Sequence, residues 1–186
     1  MEKISKVGKN FETVFEEILT ENNLTQEEVI YKTTEIKKGL FKSANVEVTI
    51  YKKSDIYDFV KEFLKEIVNN LGLEVTFETK KVEDRVVIKM YSNNNNILIG
   101  HNGNTIKALE NLVRQKIQLE TGMFFIISLD VENYKDKKIS RLERLAKQTA
   151  REVKRTHIDV HLENMNSYER RIIHNALSEF KGISTK

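Results

Sequence analysis

The chain has 186 residues, 39% hydrophobic and 32% charged, with a net charge of +3. That is apolar material for one large domain or two to three small ones, which excludes a chain disordered by composition, and the absence of cysteine excludes disulfides and thiolate chemistry. The charge is uneven: residues 1–53 are neutral, residues 54–132 carry −3, and residues 133–186 carry +6, with thirteen Lys/Arg against seven Asp/Glu, so a basic partner-binding surface is expected in the last third.

The first segment opens with a strand at Lys3–Val7 and a helix at Phe11–Thr20, whose Val14, Phe15, Ile18 and Leu19 share one face. Thr25-Gln26-Glu27-Glu28 has the spacing of a capping box. Strands are predicted at Val29–Ile36 and Val46–Tyr51, joined by a turn at Lys38-Gly39. Lys52-Lys53-Ser54 reads as a linker.

In the second segment Ile56, Phe59, Val60, Phe63, Ile67 and Leu71 recur at steps of three and four, and Gly72 ends that helix. Strands follow at Glu74–Glu78 and Arg85–Met90 across a charged turn. Then come the Asn93–Asn96 run, the sequence Ile97-Leu98-Ile99-Gly100-His101-Asn102-Gly103, and a helix from Asn104 to about Glu120 with Ile106, Leu109, Leu112, Val113 and Ile117 on its core face. Gly122 stops it, and Phe124–Val131 is the last predicted strand. The order is α-β-β-α-loop-α-β, a compact α/β sandwich of three strands with helices on one face.

The third segment begins with a long helix, Asp136 to about Thr156. Lys137, Arg141, Arg144, Lys147, Arg151 and Arg155 form one stripe; Ile139, Leu142, Leu145, Ala146, Thr149, Ala150 and Val153 lie opposite. His157–Leu162 has the pattern of a strand, and a short helix from Ser167 to Phe180 closes the chain. No glycine-rich nucleotide fingerprint, Ser/His/Asp grouping or zinc signature is present, so no catalytic residue and no cofactor is expected. His157 and His161 would share a face of a strand, yet nothing else in the pattern asks for a metal.

Two places carry chemistry. Glycines three residues apart let a backbone turn sharply and approach a ligand closely, and the helix that follows aims its free N–H groups and positive dipole end at the same spot. This is a phosphate-holding arrangement, and a G-x-x-G loop between helices is how KH domains clamp a single-stranded nucleic-acid backbone. The candidate contacts are Gly100, His101, Asn102, Gly103, Asn104 and Lys107, with Ile97, Ile99 and Ile106 as an apolar groove edge for bases. A helix C-cap followed by an N-cap, with no ligand, is the plain alternative. The second place is Asn166-Ser167-Tyr168-Glu169, an N-cap with its reciprocal Glu, followed by Arg170 and His174 on one face and Arg171 beside them. Arg offers phosphate a planar fork, and His a donor and a flat ring. The stripe's Arg141, Arg144, Lys147 and Arg151 would flank that pair; solvated faces are the alternative for both.

Taken together, the chain resembles the bacterial Jag family, also called KhpB or EloR, over essentially its whole length. Lys37-Lys38-Gly39-Leu40-Phe41 resembles the lysine-glycine turn of the Jag N-terminal domain, Ile97–Gly103 the KH signature, and the run from Leu162 to His174 the Arg-x-x-x-His (R-3-H) domain. The resemblance implies an α+β protein of three small modules: an N-terminal Jag-type unit (1–53), a KH domain (54–132) and an R-3-H domain (133–186) lacking its last strand. It implies a cytoplasmic single-stranded RNA-binding regulator, with ssDNA as a possible ligand, linked to cell elongation, division and envelope synthesis. A small single-KH partner and a possible homodimer come with it. His101 and Asn102 stand where the family usually carries a cation, and Ser167 where it often has proline. Glu2 and the lack of an apolar leader argue against a secretory peptide, and the longest apolar run, Met123–Ile127, is too short to cross a bilayer. The competing reading is a protein-interaction scaffold whose KH-like unit dimerises and whose basic helix grips an acidic or membrane-surface partner.

Overall fold

A computed structural model describes residues 1–36, 45–82 and 85–185. They fall into two compact units, Met1–Glu132 and Asn133–Lys186. The Lys37–Phe41 motif, with its Lys38-Gly39 turn, and the charged turn at 83–84 lie outside the described residues.

In the first unit, β1 (Ile4–Gly8), β2 (Val29–Ile36) and β3 (Asn45–Lys52) form an antiparallel sheet in the order β1-β3-β2. Helix α1 (Phe11–Glu21) starts where the Asn10 side chain accepts the Glu12 N–H at 2.8 Å, an N-cap worth about 1 kcal/mol. Its Val14, Phe15 and Ile18 bury against Val29, Val48 and Ile50 of the sheet. The capping box forms as expected: the Glu28 carboxylate accepts the Thr25 N–H at 2.9 Å and its hydroxyl at 2.8 Å around a single 3-10 turn, Gln26–Glu28. These bonds hold the Glu28 carboxyl below the ordinary glutamate range, the backbone N–H contributing most.

Strand β3 runs straight into α2 (Lys53–Asn70). The expected linker at Lys52-Lys53-Ser54 is therefore wrong: Lys52 ends the strand and Lys53 begins the helix. Charge suggested exposure, but the neighbours on both sides are anchored. Tyr51 is buried in the next core, Ile30 packs against it, and the Lys32 ammonium donates to the Thr121 carbonyl at 2.7 Å, a cation on the exposed carbonyls of a helix end.

The second sheet has the order β4-β5-β6, with β4 (Val75–Val82) antiparallel to β5 (Arg85–Ser92) and β5 parallel to β6 (Ser128–Val131). Between β5 and β6 come α3 (Asn95–Ile99), a 3-10 turn at His101–Gly103, and α4 (Asn104–Thr121). The expected α-β-β-α-loop-α-β order is present. Ile88, Met90, Leu129 and Val131 pack with Ile56, Val60 and Leu64 of α2 and Ile106, Leu109, Val113 and Ile117 of α4, all buried in one cluster. The alternate residues make a polar opposite face, where the Tyr91 hydroxyl donates to Glu78 at 2.9 Å.

Two strand expectations fail. Phe124–Val131 shrinks to Ser128–Val131, where the parallel pairing with β5 starts at Val87↔Ser128. Phe125 and Ile127 still turn inward while Phe124 and Ile126 are exposed, so the alternation survives without a ladder. In the second unit α5 (Tyr134–Thr156) and α6 (Ser167–Leu177) flank residues 157–166, which form no strand. Among the described residues of that unit no strand stands beside them to accept their hydrogen bonds. Ile158 and Val160 are exposed in consequence. No helix among the described residues is long and apolar enough to cross a membrane.

Candidate nucleic-acid interface

The asparagine run is the mounting of the glycine loop. The Asn95 side chain accepts the Ser92 N–H at 2.8 Å and donates to Glu132 at 2.6 Å, tying the end of β5 to the residue after β6. Helix α3 is then pinned by the fully buried Leu98. Gly100 ends it, donating its N–H to the Asn96 carbonyl at 2.8 Å.

Gly100 has φ 69° and ψ −179°, a region essentially reserved for glycine. A Cβ there would sit 2.0 Å from the Thr105 hydroxyl oxygen and 2.9 Å from the Thr105 backbone nitrogen, so the loop closes directly onto the first turn of α4. Asn102 (φ 54°, ψ 22°) and Gly103 (φ 81°, ψ 20°) are both left-handed. Gly103 is the N-cap of α4, and it has no side chain with which to cap that helix. The first-turn amides and positive dipole end therefore meet no acceptor from the cap residue, which suits an anion. His101, Asn102, Asn104 and Lys107 are exposed around this point.

The apolar groove edge needs correction. Ile97 is 44% exposed and Ile99 half-buried, but Ile106 is 2% exposed and belongs to the core. One turn into α4 the inward phase of the helix has taken it. Leu112, assigned to the core face, is instead 44% exposed.

In the second unit, the Asn166 side chain accepts the Glu169 N–H and the Glu169 carboxylate accepts the Asn166 N–H, both at 3.0 Å, completing the predicted capping box. Glu169 is also ion-paired with Lys138 of α5, the two side chains being 12% and 20% exposed. Sequence spacing gave no sign of that pair, because its members are on different helices. Ile173, with Ile172, Ala176 and Leu177 around it, packs on Leu142 and Ala146. Arg170 and His174 share the exposed flank of α6; the Arg170 guanidinium reaches the Ser167 hydroxyl at 3.3 Å, and His174 Nδ1 lies 2.7 Å from the Thr185 hydroxyl. Arg171 is exposed one position round the helix.

Arg141, Arg144, Lys147 and Arg151 are all exposed. At about 100° per residue the stripe lies opposite Leu142 and Ala146, and those are the residues α6 covers. On the stripe, Arg144, Lys147 and Arg151 border a shallow depression with Ser140, Gln148 and Glu143, so one carboxylate interrupts its sign. His157 and His161 are exposed, and the described residues contain no group of three potential metal ligands.

Sequence comparison fits this geometry. Residues 140–186 match the R-3-H domain, which places α6 and most of α5 in a chain of that class. Over its whole length the chain is similar to the RNA-binding protein KhpB of Clostridium symbiosum, 30% identical over 191 residues that cover 100% of this chain and 86% of that protein. It is 27% identical over 192 residues to the RNA-binding protein KhpB of Bacillus subtilis (strain 168), covering 100% and 91%. The chain belongs to the Jag/KhpB/EloR family.

Proposed function

We propose that this protein binds single-stranded RNA without chemical turnover, the Gly100–Gly103 loop holding the sugar-phosphate backbone. The observation that carries the reading is Gly100: its dihedrals and its closeness to Thr105 admit no side chain, and the bare backbone so formed stands at the start of an 18-residue helix whose cap residue is a glycine. Similarity to proteins described as RNA-binding supports the same reading. On this view residues 54–132 act as a KH domain, with Gly100, His101, Asn102, Gly103, Asn104 and Lys107 nearest the strand. Arg170, Arg171 and His174 of the R-3-H domain supply a second contact, and Arg141, Arg144, Lys147 and Arg151 attract phosphate more diffusely. Residues 1–53, with no basic excess, serve protein contacts. The family resemblance extends the role to cytoplasmic post-transcriptional control of elongation, division and envelope synthesis, with a small single-KH partner.

The test is Gly103→Asp, which puts a carboxylate where phosphate should lie. In a filter-binding assay competed by heparin, this variant should lose the heparin-resistant part of RNA binding. Undiminished heparin-resistant binding would remove the loop from the interface.

A second reading has its own observation. Leu112 and Leu119, seven residues apart on α4, are 44% and 82% exposed, which suits a protein-facing helix surface. A scaffold that dimerises there would lose its dimer on Leu119→Glu and show no loop-dependent RNA binding.

A further inference from the structure

Asn102-Gly103 is the one Asn-Gly pair in the chain, and it lies at the centre of the loop. An asparagine followed by glycine is chemically labile, because the next backbone nitrogen can attack the side-chain amide and glycine sets no Cβ in its way. We propose that Asn102 is a spontaneous deamidation site whose conversion disarms the loop. The consequence for RNA rests on the reading above; the chemistry does not.

The step balances without an oxidant. The Gly103 nitrogen gives up its proton and bonds to Asn102 Cγ; the Cγ–Nδ2 bond breaks, and ammonia leaves with that proton. Water then opens the five-membered imide at either carbonyl, giving aspartate or isoaspartate. A neutral amide becomes a carboxylate, and the isoaspartate form also lengthens the backbone inside a turn whose dihedrals are narrowly set at Gly100 and Gly103.

Structure favours this asparagine over others. Asn102 is exposed in the left-handed region; Gly103 behind it is buried, but its attacking nitrogen is held only by a bond to the Gly100 carbonyl at 3.3 Å, beyond the usual range for N–H···O. By contrast Asn10, Asn22, Asn95 and Asn166 each precede a residue with a side chain. Attack requires Asn102 to swing out of the observed turn. A bound strand that holds the turn therefore protects it, and the unliganded protein ages faster than the liganded one.

The experiment incubates the full chain in mildly alkaline buffer, with and without saturating oligouridylate, and follows the peptide containing residue 102 by mass and isoaspartate content. The expected result is conversion at Asn102 severalfold ahead of every other asparagine, slowed by the oligonucleotide. Asn102→Asp should weaken RNA binding about fivefold or more, the scale of one like-charge contact at close range in water, with an unchanged circular dichroism spectrum. Asn102→Gln should not age. An Asn102 that persists while other asparagines convert overturns the chemistry, whatever Asn102→Asp does. Conversion at Asn102, with wild-type affinity in both aged protein and Asn102→Asp, overturns the disarming. Should Gly103→Asp also bind normally, the fault lies in the loop reading and not in the deamidation.

Discussion

Gly100→Ala separates a glycine that is structurally required from one that is merely present. The added Cβ meets the Thr105 hydroxyl oxygen at 2.0 Å, its Cβ at 2.8 Å and its nitrogen at 2.9 Å. Holding a non-glycine residue at these dihedrals costs about 1–3 kcal/mol, and forcing the methyl into filled space adds roughly another 1–3 kcal/mol. Gly72→Ala is the internal control, because φ is +75° there but nothing lies within 4 Å of the new Cβ, so only the backbone cost of about 1–2 kcal/mol applies. Urea unfolding monitored by circular dichroism should show Gly100→Ala less stable than Gly72→Ala by roughly 1–3 kcal/mol. Thr105→Ala should restore part of the loss in the Gly100→Ala background and little in the wild type, a positive coupling expected of groups that touch. RNA affinity should fall with Gly100→Ala and not with Gly72→Ala. Equal midpoints for the two glycine variants, with no coupling to Thr105, would refute the closure of the loop on α4.

Other consequences are equally open to measurement. Removing either member of the largely buried Lys138–Glu169 pair should loosen the start of α6; a double-mutant cycle with Lys138→Met and Glu169→Gln, read by hydrogen exchange in residues 166–174, should give a coupling of about 1–3 kcal/mol, and a null coupling would reduce the pair to decoration. Glu28, with its pKa lowered by Thr25, stabilises the fold above the ordinary glutamate value of about 4.3, and that contribution is lost as pH falls through its lowered value. The melting-temperature gap between wild type and Glu28→Gln should therefore be present at neutral pH and close in acid; a gap independent of pH contradicts the assignment. If Arg144 and Arg151 touch RNA phosphates, replacing both by Ala flattens log K against log salt by about 0.7 for each phosphate no longer neutralised, and an unchanged slope takes the stripe out of the interface.

The helices were legible because each carries both a period and its stops. In α2 Ile56 and Val60 are buried and Phe59, Phe63 and Ile67 pack half-buried on the same core, although Leu71 is exposed and the buried Leu64 and Val68 lie outside the pattern; Gly122 closes α4 with φ 68°, and Asn166 with Glu169 opens α6. Strands were less legible because a strand needs a neighbour that composition does not reveal: Phe124–Ile127 and His157–Leu162 alternate as strands do, yet among the described residues no partner strand pairs with them. Lys52-Lys53-Ser54 looked like a linker because charge marks solvent contact, and a strand-to-helix corner can be solvated while Tyr51 and Ile56 on either side are buried. Within the site, the sequence disclosed which residues the loop contains but not Thr105 beneath it or Asn95 bracing it, since both act through tertiary contacts.

The central claim is that a single strand is held by bare backbone at the head of α4. An amide-resolved NMR titration of the full chain with a short single-stranded oligoribonucleotide tests it most directly. The largest shifts are expected at the amides from Gly100 to Lys107, with a second set from Arg170 to His174. Saturable binding that leaves the Gly100–Lys107 amides unmoved would contradict it.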